Sequence, residues 1–195
     1  MIYRCLAAMA MAVCFATGSL AATTGWVVES NKLVGATNVN VGGTLYDVTF
    51  ADGSCISLFG GCTNSSFVFS TYAQAYAANT ALSNSVFLDV PAGNFNSVPE
   101  LTAGCSMGIG CTVLTPYSLV GANVYYASVD NTPGIGFISG THEGFYVVPS
   151  YSTNTWNDKT FAVWSVSPVP EPETYAMLLA GLGVMGFIAR RRKQA

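Results

Sequence analysis

The rhythm of hydrophobic and polar positions changes twice along the chain. Near the start, Cys5 to Ala16 is an apolar run behind Arg4, and near the end, Tyr175 to Ile188 is apolar on every side. Between them the pattern alternates in twos, as half-buried strands require. Leu33 to Val41 and Thr44 to Phe50 flank Gly42-Gly43. Two alternating runs around a glycine pair predict a β-hairpin, because glycine supplies the positive φ of a primed turn. On the second strand Tyr46, Val48 and Phe50 form the core face, with Leu45, Asp47 and Thr49 opposite.

One stretch departs from this period. Ala73, Ala75, Ala77, Ala78 and Ala81 predict a helix over Tyr72 to Asn84, with Tyr72, Tyr76 and Leu82 facing inward. Trp26-Val27-Val28 opens the strand region. Further strands are predicted at Val86 to Val90, Cys111 to Leu114, Asn123 to Val129, Ile135 to Ser139, Gly144 to Val148 and Lys159 to Val166. Turn chemistry separates them at Pro91-Ala92-Gly93, Asp130 to Gly134 and Tyr151 to Asn154. Tyr125, Tyr126, Tyr146 and Tyr151 are assigned to sheet faces. No internal repeat is present. The predicted class is mainly β: a sandwich or barrel-like antiparallel sheet with one short packed helix, flanked by an N-terminal signal peptide and a single C-terminal transmembrane helix.

The two apolar ends divide the chain. Residues 1–21 read as a signal peptide, with Arg4 as the positive region and Ser19 and Ala21 as the small residues before cleavage. That assigns 22–167 to an exported β-rich domain and makes the Sec translocon and signal peptidase its first partners. Residues 168–195 form a separate segment. Pro168, Pro170 and Pro172 make an extended spacer, since proline can neither continue a helix nor join a central strand. The predicted transmembrane helix spans 174–189. Its 16 uncharged residues rise about 24 Å, short of a hydrocarbon core near 30 Å, and local thinning covers the difference. The basic tail 190–193, Arg190-Arg191-Arg192-Lys193, stays cytoplasmic and leaves the domain outside.

Val169-Pro170-Glu171-Pro172, the short glycine-rich apolar helix and the arginine cluster, in that order at the end of the chain, resemble the PEP-CTERM sorting signal. The resemblance implies recognition by a membrane-embedded exosortase and delivery to the surface of a Gram-negative bacterium, often one that makes exopolysaccharide. The tail is also similar to the anchor of some ice-binding proteins. Tyr46 to Cys55, together with Phe161-Ala162-Val163-Trp164, resembles an uncharacterised group of PEP-CTERM cargo proteins, which brings no activity with it.

Charge narrows the function classes. Only 9% of the 195 residues are charged, against 51% hydrophobic. Within 22–167, eight acids against two lysines leave six net negative charges, with no arginine. Nucleic acid is excluded as a partner, because its affinity depends on Lys and Arg neutralising phosphates. In an exported domain, Cys55, Cys62, Cys105 and Cys111 read as disulfides, preferably paired locally because each pair brackets a glycine-rich loop. Such loops stabilise by roughly 2–3 kcal/mol each in the chain-entropy model. A four-thiolate zinc site requires closer spacings.

No catalytic residue is assigned. His142 beside Glu143 lacks the second histidine of a zinc-peptidase helix, and no Gly-x-Ser-x-Gly elbow occurs. The acids lie singly near turns, where they close loops, and no loop carries the alternating oxygens of a calcium site. Neither a cofactor nor a metal is expected. Trp156, between Asn154-Thr155 and Asn157-Asp158, is the candidate ligand contact, because a polar setting leaves an indole available for stacking on a sugar or partner. The sequence therefore leads to a non-enzymatic surface or extracellular-matrix protein with extracellular polysaccharide as a candidate partner. The alternatives are a secreted hydrolase of glycans or esters and an ice- or surface-adsorbing module.

Overall fold

The computed structural model describes residues 23–108, 110–133, 136–138, 146–168, 178–183 and 185. Three antiparallel strands open the fold: β1 (Gly25–Glu29), β2 (Lys32–Val41) and β3 (Thr44–Ala51). The β2–β3 turn is the predicted glycine pair, with φ of 60° at Gly42 and 93° at Gly43, a conformation that only glycine adopts cheaply. Gly35 answers a different need, since a Cβ there would lie 2.3 Å from the Val48 carbonyl oxygen.

After β3 the chain leaves the sheet. A single helical turn, α1 (Cys55–Leu58), is capped by Ser54, and α2 (Tyr72–Ser85) is capped by Thr71, whose side chain accepts from Gln74 N–H. A short ribbon of β4 (Asp89–Val90) and β5 (Gly93–Asn94) follows. The chain returns through β6 (Cys111–Val120), β7 (Asn123–Thr132), β8 (Gly136–Ile138), β9 (Tyr146–Val147) and β10 (Lys159–Val166). The sheet order is β1-β2-β3-β10-β6-β7-β8, with β9 also paired to β7.

Both faces of the sheet are covered. On one, α2 lays Ala75, Ala78 and Leu82 over Val48, Phe50, Val113, Ala127, Val129, Ala162 and Trp164. A polar chain crosses this core: Trp164 Nε1 donates to Thr115 Oγ1 (3.2 Å), which donates to Asn79 Oδ1 (2.7 Å). Such bonds spare buried polar groups their desolvation cost. On the other face Cys55, Phe59, Cys62 and Phe67 cover Leu114, Val124, Tyr126 and Phe161.

The fold departs from expectation in five places. It is mixed, because β10 pairs parallel with β6 from Lys159↔Thr112 to Phe161↔Leu114. It is also one continuous sheet, covered by a helix and a loop segment where a sandwich would carry a second sheet. The predicted strand at Val86 to Val90 is reduced to Asp89–Val90, since Val86 and Phe87 N–H groups both return to the Leu82 carbonyl at the end of α2. The helix turns its small residues inward, and Tyr72 and Tyr76 are only half-buried. Leu82 is buried as expected, whereas Tyr72 packs against the core only in part. β6 runs on past Leu114 through Pro116, where its register shifts against β7. Its paired register with β10 has ended by then, so the missing N–H breaks no bond on that side.

Candidate functional site

The exit of the C-terminal segment is built by β10. Ala162 to Val166 pair antiparallel with Phe50 to Tyr46 of β3, and Ser167 N–H then donates to the Leu45 carbonyl at 3.0 Å. Ser167 is buried, and its hydroxyl donates to Asp47 Oδ1. The same carboxylate oxygen accepts from Asn38 N–H at 3.0 Å. Asn38 sits at a β2 irregularity with a φ of 57°. Asp47 thus ties three strands at the point where the chain emerges at exposed Pro168.

The second candidate is the corner around Trp156. A short 3-10 turn, Thr153–Thr155, is stitched to the Asp52-Gly53 turn: Thr153 N–H donates to the Gly53 carbonyl (2.9 Å) and Thr153 Oγ1 donates to Asp52 Oδ1 (2.9 Å). Trp156 N–H closes that turn on the Thr153 carbonyl, leaving the indole half-buried. Tyr151 meets the indole edge-on at 5.1 Å between ring centroids, and Lys159 Nζ lies 4.2 Å from the ring centroid. The lysine also pairs with Asp158 at 2.7 Å. Burial, and then the Asp158 charge, push the Tyr151 phenol above its ordinary range. Beside this corner a cleft of about 180 Å³ is lined by Thr112, Asp130, Asn131 and Asp158 among others. Thr112 Oγ1 holds Asp130 Oδ1 at 2.5 Å.

Asp52 carries a pH dependence. Burial raises its pKa, and the hydrogen bond from Thr153 only partly offsets this. The unfolded chain therefore ionises at lower pH than the fold, and folding loses stability as pH rises through that interval and stays lower above it. Asp52→Asn keeps an acceptor for Thr153 and removes the charge. Its melting temperature is expected to exceed that of the wild type at pH 7, with the gap closing below about pH 4; a gap that is constant from pH 3 to 7 would refute the assignment.

A family model for the PEP-CTERM protein-sorting motif matches residues 168–193. The chain carries a PEP-CTERM sorting motif at its C-terminal end. The matched stretch begins one residue after the last side chain bonded to β3. No curated protein and no solved structure matches the chain.

The other predicted residues fall as follows. The PEP-CTERM motif residues Val169, Pro170, Glu171 and Pro172, the basic Arg190, Arg191, Arg192 and Lys193, the signal peptide 1–21, and His142 with Glu143 all lie outside the described residues. Within the predicted transmembrane span, 178–183 and 185 are helical, and among the described residues no helix is long and apolar enough to cross a membrane. The cysteines pair locally, Cys55–Cys62 with Cα atoms 5.2 Å apart and Cys105–Cys111 at 5.7 Å. No group of three or more His, Cys, Asp or Glu side chains able to hold a metal occurs among the described residues.

Sequence reasoning did not connect the tyrosines. Ring centroids follow one another from Tyr76 to Tyr72 (5.9 Å), Tyr117 (5.9 Å), Tyr125 (6.4 Å) and Tyr146 (5.7 Å). The four-residue spacing of Tyr72 and Tyr76 on a helix was the one available signal. The strand partners depend on register. Tyr126, by contrast, is fully buried beneath Phe161, where desolvation raises its phenol pKa.

Proposed function

We propose that this PEP-CTERM protein is a non-enzymatic surface or extracellular-matrix component of a Gram-negative bacterium, its 22–167 domain delivered as cargo. The motif implies exosortase-targeted export, with exosortase as the processing partner. The observation that carries the reading is the junction: the sorting match begins at Pro168, directly after Ser167 is bonded into β3. A signal read by a membrane enzyme must be reachable without opening the cargo fold, and an exit at an exposed proline meets that need. The paired cysteines also favour an oxidising compartment.

Deleting Val169 to Ala195 in the native host tests delivery. The expected result is a shift of the protein from the surface-retained fraction to free secretion or the periplasm; unchanged fractionation would count against the reading. Turnover of any glycan, ester or peptide substrate by the purified protein, lost in His142→Ala or in an acidic-residue variant, would replace the non-enzymatic assignment with a hydrolase.

A further inference from the structure

The tyrosine row has the geometry of a binding surface. It starts in the first two turns of α2 at Tyr72 and Tyr76, crosses β6 at Tyr117 and β7 at Tyr125, and ends on β9 at Tyr146. Tyr125 and Tyr146 are direct cross-strand partners, and Tyr117 lies in the register shift between Pro116 and Ser118. Bulges of this kind re-aim a side chain. Tyr72 and Tyr117 rest on the core beneath α2, which fixes the inner side of the row. Tyr146 is 54% exposed, and the other four rings are half-buried.

Among the described residues, the elements along this path carry no charge close to the row. α2, β6 and β9 contain no charged residue, and β7 has none before Asp130. The domain's two lysines are engaged elsewhere: Lys32 donates to the Glu100 and Cys105 carbonyls, and Lys159 pairs with Asp158. An anionic polymer would find no countercharge in the row, and a cationic one no carboxylate. An uncharged polyhydroxyl chain fits on both counts. Its C–H faces stack on phenol rings while its hydroxyls keep their water, and tyrosine offers such contact at low entropy cost. Successive ring centroids lie 5.7–6.4 Å apart with planes inclined by 36–70°, so the row is a continuous aromatic surface that offers both ring faces and edges.

We propose that Tyr76, Tyr72, Tyr117, Tyr125 and Tyr146 form a contact surface for an uncharged polysaccharide. The proposal deepens the surface or matrix reading above and rests on it for contact with such a polymer.

The full chain, purified in detergent micelles, would be run in native gels cast with dextran, hydroxyethyl cellulose, laminarin or galactomannan, beside gels with alginate or chitosan. Retardation is expected in at least one neutral polymer. Tyr125→Ala and Tyr146→Ala should each weaken it about tenfold, Tyr146→Phe should retain it, and Ile56→Ala, at an exposed position on α1 away from the row, should leave it unchanged. Tyr146 is exposed enough that its truncation leaves the fold intact, and an unshifted melting temperature checks this. The proposal falls if no neutral polymer retards the protein, if both alanine variants bind like the wild type, or if alginate or chitosan retards it most. It also falls if sedimentation shows a dimer that Tyr146→Ala dissociates, which would make a second copy the occupant. Fractionation of the tail-deleted chain reports delivery separately, so failure of the gels with intact delivery sinks only the contact surface.

Discussion

Phe161→Ala is expected to destabilise the domain by about 3–5 kcal/mol, the range for emptying a buried aromatic site. Phe161 has no exposed surface and sits on β10 between two partners, Ala51 of β3 and Leu114 of β6. Its ring meets Tyr126 at 5.5 Å and Phe59 at 5.9 Å. The alanine would leave a void between the sheet and the Cys55–Phe67 segment, with rings on both sides too constrained to collapse into it. Against a total stability of about 5–15 kcal/mol, such a loss is a large fraction of the whole. Urea denaturation reads it as a lowered midpoint. Val166→Ala, on the same strand but 62% exposed, should stay within about 0.5 kcal/mol. A cost below about 1 kcal/mol for Phe161→Ala would mean that this face is not a packed core.

The second large effect concerns the bridges. Replacing both cysteines of either pair by alanine should cost roughly 2–3 kcal/mol, because each closes a short loop in the unfolded chain. The two pairs lie in different cores and share no neighbour within them, so the losses should add. The Cys105–Cys111 pair has further work: the Lys32 ammonium donates to the Cys105 carbonyl at 3.0 Å, and Ser106 N–H donates to the Asn157 carbonyl at 2.8 Å. Cutting it should loosen the entry to β6 as well as the loop itself. Thermal melts of the two double variants and of the fourfold variant check both magnitude and additivity. A fourfold variant melting with the wild type would show that the bridges add nothing.

Local periodicity made some elements legible. The β2–β3 hairpin is written in alternation around two glycines, and β10 occupies the predicted Lys159–Val166. The alanine-rich helix runs one residue past its predicted end. What periodicity omits is which distant strands meet. β10 enters between β3 and β6 after both hairpins are made, and its parallel register with β6 rests on contacts across more than forty residues, which no local pattern encodes. On α2, Leu82 is buried as read, Tyr72 packs against the core while staying half-buried, and Tyr76 is half-buried, a gradation that local pattern does not encode. The sorting motif was readable because all its parts are contiguous. The tyrosine row was not, because its five residues are scattered over four elements and become neighbours only once register is fixed. Trp156 stands out in the sequence by its polar neighbours, yet Lys159 over its ring becomes visible only with the turn that folds it back.

The placement of β10 decides how the cargo responds to tension. A pull applied at Pro168 enters an interior strand that six residue pairs bind to β3 and three bind to β6. The load meets the β3 ladder first, from Val166 inward, and reaches the β6 pairs only at Phe161, so the two ladders hold the strand in series. Outlying β1, β8 and β9 can fray without releasing β10, so a chain pulled at Pro168 resists with the strength of its centre and not that of its margins.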